Sequence, residues 1–420
     1  MIQNNREKIE RSNYIWNAIA GVINASEAVI LLMVLTRTNS ISDAGILSLS
    51  FAVASLLLNV GKYGMRNYQV TDSKEENSFN LYFSARLVTT FIMLIASILY
   101  IANGIFLKSY SNEKAMIVFV ICVLYMIESI EDIFIGFYQR KGRLAVGTKI
   151  FSYRWGITLF VFSIILIAYH NLLLSACVST LISGCLAIYF LHITFHKMGG
   201  QGLNFEKKGI LKLLQTCMPL FVSEFCIFYI TNSSKYAIDK YLSDEVQACY
   251  GFIVMPSLVI GLVSSFVYQP ELVSFAQLWR QKKLNEFTKK IKKQILYIIW
   301  ISIACLMGAY AVGTQVLSIL YNTFLGTYRM ELLVLLLGGG LQAIAVFLYV
   351  MMTIMRVQKK VMLAYIGVAI CTKISAEFFV QKWGIMGAAI NFTLIMFLLV
   401  LTFIFIFRRE YQKVSCDNIC

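Results

Sequence analysis

Long apolar runs recur from one end of this chain to the other, each 18 to 24 residues long and separated by short polar stretches. A helix needs roughly 20 apolar residues to cross the hydrocarbon core of a bilayer. The pattern therefore predicts twelve spanning helices, over residues 14–35, 44–61, 81–103, 115–137, 146–168, 172–194, 216–238, 247–268, 295–312, 330–352, 362–380 and 384–407. The seventh run turns polar near ITNSSKYAID (Ile230–Asp239), and the pair on either side of His170 is weakly separated. The fold class expected is an all-α integral membrane protein.

Composition agrees. Of 420 residues, 59% are hydrophobic and 14% charged, with a mean hydropathy of +0.71, whereas soluble domains are about a quarter charged. The first run is long enough to span and no small-residue cleavage motif follows it, so it reads as a helix and not as a signal peptide.

The net charge of +15 is a topology signal. With both termini on the cytoplasmic side, inner segments hold 26 lysines and arginines. Outer segments hold seven: Arg37, Lys108, Lys114, Lys235, Lys240, Arg329 and Lys382. That is the positive-inside bias, and charge that follows the loops gives no reason to expect a nucleic-acid partner. The densest cluster, WRQKKLNEFTKKIKKQ (Trp279–Gln294), reads either as an amphipathic segment on the inner leaflet or as a solvated charge run.

An internal repeat suggests the architecture. QRKGRLAVGTKIFSYR (Gln139–Arg154), after span four, aligns without gaps on QKKVMLAYIGVAICTK (Gln358–Lys373), after span ten. Leu144-Ala145 falls on Leu363-Ala364, and Arg154 on Lys373. Parallel repeats six spans apart are a known transporter design. The expected domains are an N-terminal lobe over residues 1–200 and a C-terminal lobe over 201–420, six helices each.

Candidate chemistry begins in span four. Glu128, Glu131 and Asp132 share one helical face, at a depth where charges face a bundle interior or a wet cavity. Arg86, Arg154 and Lys373 are the cations at similar depth. Asp132 lies about five residues, roughly 8 Å, from the inner end of its helix. Arg86 is comparably deep on a neighbour, so these two are expected to pair. Of three roles for the acids, structural salt bridges within the first lobe are preferred over a proton or sodium coupling site and over substrate contact. Lys373 has Glu377 at i+4 to satisfy it locally, whereas Arg154 has no acid within one turn. Symmetric cations facing each other would suit an anion, above all a phosphate. Glu27, Glu224 and Lys235 either line a cavity or pair with one another.

Other chemistries find little support. Seven cysteines (122, 177, 185, 217, 226, 305 and 371) lie in apolar runs, where Cys acts as a small hydrophobe, so no disulfide, metal or cofactor is expected. His192 and His196, beside Lys197, read as interfacial. No GxxxxGK[ST] loop occurs, so ATP hydrolysis is not expected. Gly338–Gly340 reads as a close-packing point in span ten.

Two stretches carry a resemblance. GKYGMRNYQVTD (Gly61–Asp72) follows span two, and TNSSKYAIDKYLSDEVQACYGFIVMPSLVIGLVSSFVYQPEL (Thr231–Leu272) covers spans seven to eight. Through Arg-x-Tyr-Gln-Val-x-Asp and Asn-x-x-Lys-Tyr-x-Ile-Asp the chain resembles the Wzx-type oligosaccharide repeat-unit flippases. Their superfamily also holds the MATE drug exporters and the lipid II flippases. The resemblance extends over the whole chain in length, span count and basic loops. It implies a MATE-like fold, two six-helix lobes around a central cavity lined by spans one, two, seven and eight. It also implies a job, moving an undecaprenyl-diphosphate-linked oligosaccharide of O-antigen, capsule or a related surface glycan to the outer leaflet of the bacterial inner membrane. Glycan polymerase and glycosyltransferases are the partners it implies. Arg66, Tyr68, Gln69 and Asp72 would belong to the inner mouth, and Asn232, Lys235, Tyr236 and Asp239 to the cavity wall toward the outer side.

Two rivals remain. A multidrug or cation antiporter of the same fold calls for an acid-dominated cavity. A membrane-embedded glycan polymerase or ligase calls for a large outer loop, and the longest one predicted is 313–329.

Overall fold

The computed structural model describes residues 2–71, 77–197 and 205–416, and its regular structure is helical throughout. Seven helices come first: α1 (Ile2–Thr38), α2 (Ile41–Lys62), the short α3 (Met65–Thr71), α4 (Phe79–Phe106), α5 (Asn112–Arg140), α6 (Leu144–Tyr169) and α7 (Leu172–Lys197). Then follow α8 (Lys207–Tyr241), α9 (Asp244–Tyr268), α10 (Leu272–Arg280), α11 (Leu284–Gly308), α12 (Thr314–Leu320), α13 (Arg329–Ile354) and α14 (Gln358–Cys416).

Ten of these segments are long and apolar enough to cross a membrane. Helix α5 has the length and apolar character, but its lysine and carboxylates put at least three charged residues in every 18-residue stretch. Helix α14 is two arms, broken at Gly384 (φ 55°, ψ −131°), a backbone region that only glycine occupies freely. Counting α5 and both arms gives the twelve predicted spans, and the chain is a multi-pass membrane protein. The predicted outer loop 313–329 is largely helix. A π turn (Ala309–Gly313) continues α11 into α12, and Arg329 donates to the Tyr310 carbonyl and stacks on its ring.

Short links are closed by side-chain caps. Ser40, Ser78 and Ser111 accept from the backbone N–H three residues on, at 3.1, 3.3 and 3.2 Å, and Asn171 does so for Leu174 at 2.8 Å. Such caps satisfy N–H groups that a helix leaves free at its start. Helix α6 has no cap of its own. Asn13 of α1 supplies one, accepting from Ala145 N–H and donating to Gly142 O, both at 2.8 Å. At the other end, His170 Nδ1–H donates to Thr38 O at 3.0 Å while Asn39 donates to His170 O at 2.8 Å.

Two compact units result, Met1–Phe225 and Cys226–Cys420. The division falls inside α8, past the expected boundary at residue 200. Early α8 residues Ile210, Leu213 and Cys217 pack with Met65, Leu81, Tyr82, Ile133 and Phe134 of the first unit. In that unit α5 lies at the centre, against α2, α4, α6 and α7. In the second unit α13 is the centre, against α9, α11 and α14.

The glycine run of α13 makes this possible. A Cβ at Gly338 would lie 2.5 Å from Phe392, at Gly339 2.6 Å from the Ser257 carbonyl oxygen, and at Gly340 2.7 Å from Ser302. Three neighbouring helices thus approach one helix on three faces. Helix α10 turns its apolar side inward as well. Phe275 and Phe287 are both fully buried with rings 5.9 Å apart, edge to face, and Phe275 meets Phe347 at 5.9 Å. Within Trp279–Gln294 the apolar residues Leu284, Phe287 and Ile291 are buried, so the apolar side of this amphipathic segment packs against protein.

Candidate functional site

In the first unit the carboxylates of α5 are the hub of a charge network. Glu128 takes Lys62 at 2.8 Å. Asp132 takes Arg86 at 3.0 Å through one oxygen and Arg66 at 3.3 Å through the other. Glu131 takes Arg154, through Nη2 at 2.7 Å and Nε at 2.9 Å. Arg86 spends its other nitrogen on Gly61 O, 3.0 Å away, which also accepts from Thr89 at 2.7 Å. Glu27 accepts from Tyr125 at 2.5 Å, and Glu224 from Asn67 at 2.9 Å.

Arg154, expected in a substrate role, is fully buried, and its charged and hydrogen-bond partners, Glu131 and Ser183 of α7 (Nη1 at 2.7 Å), both belong to its own unit. The partner comes from a neighbouring helix, which is why a search along its own helix found none. Lys62 and Arg66 differ from the deep arginines, since both side chains keep 29% of their surface exposed. They line two polar cavities of about 230 Å³ each. One is shared with Asn17, Asn24 and Glu128, the other with Asn67, Gln139 and Glu224.

The first motif divides between packing and cavity. Arg66 also donates to Gln139 at 2.8 and 3.1 Å. Tyr68 packs on Tyr82 (6.4 Å), and Gln69 is buried against Gly136, leaving no room there for a side chain. Asp72 lies outside the described residues, as do the side chain of His196 and Cys420.

The second unit is electrostatically unlike the first. Its central helix α13 has one acid, Glu331, in the first turn. Two readings stood for Lys373, substrate binding or local pairing with Glu377; Glu377 accepts instead from Lys240 at 2.8 Å and from Tyr241 at 2.6 Å. Among the described residues no carboxylate lies within 4 Å of Lys373 or of the buried Lys235. Lys373, itself exposed, lines a groove of about 800 Å³ together with Cys226, Tyr229, Ile366, Ile370, Ile374 and Glu377. Tyr229 stacks on Tyr236 at 6.0 Å, and Asn232 spends its amide on Phe228 O at 3.1 Å.

The repeat register is also corrected. Arg154 is the eleventh residue of α6 and Lys373 the sixteenth of α14, so Lys373 sits about five residues, roughly 7.5 Å, further along its helix. Sequence reasoning missed Lys62, Tyr125, Gln139 and Ser183. Lys62 is one of the inner-segment cations, four residues before Arg66 in the same stretch, and that proximity was a usable signal. The serine and tyrosine gave none.

Comparisons with known proteins follow the same lines. The capsular polysaccharide biosynthesis protein CapF of Staphylococcus aureus is 22% identical over 413 residues, covering 96% of this chain and all of CapF. An inward-facing multidrug resistance MATE family transporter of the MOP superfamily superposes with a TM-score of 0.73 at 12% identity, over 96% of this chain and 98% of the other. The lipid II flippase MurJ, inward closed, gives 0.71 at 12% identity, over 97% and 90%. At such identities the likeness is one of fold. Residues 11–270, more than half the chain, match the polysaccharide biosynthesis protein family, and to that family this MATE-like membrane protein belongs.

Proposed function

We propose that this protein moves an undecaprenyl-diphosphate-linked oligosaccharide repeat unit from the cytoplasmic to the outer leaflet of the bacterial inner membrane by alternating access, with both termini cytoplasmic. The observation that carries the reading is the contrast in charge neutralisation. The deep cations of the first unit have carboxylates at 3.3 Å or less, whereas among the described residues Lys235 and Lys373 have none within 4 Å, and Glu377, in the groove of Lys373, is bonded to Lys240 and Tyr241 instead. A lysine at membrane depth costs about 2.5–3.5 kcal/mol on insertion scales, so an ammonium kept there without a counter-ion fits a site whose ligand brings the negative charge. A diphosphate does so. The isoleucine wall beside Lys373 suits the prenyl chain that adjoins it.

The sugar head needs polar surroundings, because each unpaired hydroxyl costs several kcal/mol in hydrocarbon. The cavities at Lys62 and Arg66 have that character. An inside-negative potential favours outward movement of anions by about 2.3 kcal/mol per charge per 100 mV, so transport can run without a coupled ion. We assign Glu128, Glu131, Asp132, Arg86 and Arg154 to holding the first unit together. Glu27, bonded to Tyr125, and Glu224, bonded to Asn67, are the groups left for ion coupling. The Staphylococcus relative makes a capsule repeat unit the favoured cargo. A multidrug antiporter fits less well, since cationic drugs call for deep acids and the second unit has deep lysines.

The test is complementation of a strain that lacks this gene and its surface glycan. The wild-type chain restores the glycan. Lys373→Gln cuts it, Lys235→Gln with Lys373→Gln abolishes it at unchanged membrane levels, and arginine at both positions restores part. Full rescue by the double glutamine variant would overturn the cationic site, and failure of the wild-type chain would overturn the flippase reading.

A further inference from the structure

We infer that the elbow between α10 and α11 binds the phosphate headgroups of anionic phospholipids, on the membrane side that carries the basic loops. Six cations are exposed there: Arg280, Lys282, Lys283, Lys289, Lys292 and Lys293. Lys283 alone has a nearby acid, Glu286 at 3.9 Å, and both of those side chains are more than half exposed. Lys290, the seventh, is committed to holding the elbow rigid. It bonds Ser274 at 2.6 Å, contacts Glu271 and lies 5.1 Å over the Phe275 ring. The apolar side of α10 is already buried, so the cations are not the polar face of a helix that inserts into the bilayer. They are a fixed bed.

What lies beside that bed identifies the ligand. One turn beyond Lys292 and Lys293 come Leu296 and Tyr297, then Trp300, which are 51%, 39% and 62% exposed. Such a surface on a spanning helix faces lipid. One helical turn is about 5.4 Å, close to the thickness of a headgroup layer, roughly 5–7 Å per leaflet. The Lys293 ammonium lies 5.7 Å over the Tyr297 ring, and tyrosine is an interface residue. These ammonium groups therefore stand at headgroup depth, where phosphate is the abundant anion. A soluble acidic protein reaches Arg280–Lys283 but not the last two lysines.

The inference goes beyond the transport reading and is independent of it. Native mass spectrometry of the purified full chain, released from mixed phosphatidylglycerol and phosphatidylcholine, tests it. Wild type retains phosphatidylglycerol in preference. Each cation near an anionic surface is worth about fivefold, so Lys289→Ala, Lys292→Ala and Lys293→Ala together lower the preference on the order of 100-fold. Arginine at the same three positions keeps it, which separates charge loss from misfolding. Alanine at Lys108 and Lys382, exposed toward the other end, leaves it unchanged. Equal retention of both lipids by wild type, or an undiminished preference in the triple alanine variant, overturns the site. So does removal of phosphatidylglycerol by inorganic phosphate at physiological salt.

Discussion

Arg154 and Lys373 differ in what stands opposite them. Helix α5 offers Glu131 at 2.7 Å to the first, and α13 has no acid beyond its first turn to offer the second. Removing one member of a buried ion pair strands the other, at a cost of about 3–5 kcal/mol, whereas replacing both by well-packed apolar groups is close to neutral. Arg154→Ala is therefore expected to lower the melting temperature of the detergent-purified protein and its level in the membrane. Arg154→Met combined with Glu131→Leu recovers most of both. If Arg154→Ala melted like wild type yet failed in transport, the residue would belong to the substrate path after all. Lys373→Gln should show the opposite pattern, with normal melting and impaired glycan export.

Among the elements, α13 and α5 organise their units by different means. Helix α5 is bound to its neighbours by ion pairs, and α13 by the absence of side chains. At Gly339 the obstacle to a methyl group is a carbonyl oxygen of α9, 2.6 Å away, which no rotamer change can clear. Gly339→Ala is predicted to cost about 1–3 kcal/mol as overpacking, read as a lower melting temperature. Gly261 and Gly367 lie in helices with open space around them, so alanine there is neutral or slightly stabilising, given the roughly 1 kcal/mol helix preference over glycine. Equal melting of Gly339→Ala and Gly367→Ala would contradict the close approach. The polar run near Ile230–Asp239, which obscured the seventh span in the sequence, is interior to α8. Ser233 bonds back to Ile230 O at 2.9 Å and Ser234 donates to Ala388 O of α14 at 3.0 Å, so the polar side chains are satisfied and the helix continues through the run.

For the whole molecule, the distribution of basic loops predicts sidedness. On a cysteine-free background, Asn285→Cys in the α10–α11 elbow should resist a membrane-impermeant maleimide applied to intact cells. Thr327→Cys, in the link between α12 and α13, should be labelled. The reverse pattern would invert the topology and with it the direction of transport. With the predicted sidedness, residues 321–328 between α12 and α13 are the longest outer link of the second unit among the described residues, which leaves little chain there for an extracellular catalytic domain.

The number of spans, the helical class and the basic side of each loop could be read from the chain alone. Burial of apolar side chains and exclusion of cations from hydrocarbon are counted residue by residue, and neither depends on which helix is the neighbour. The Asp132–Arg86 pair was within reach for the same reason, since depth along a helix is a matter of counting. Which carboxylate neutralises Arg154, why Glu377 bonds Lys240 and Tyr241 and not Lys373, and where one unit gives way to the next inside α8 were decided in the fold. Those outcomes depend on the rotation of each helix about its axis and on contacts between residues distant in the chain, such as Arg154 with Ser183 or Tyr125 with Glu27. A local pattern of polar and apolar positions contains neither.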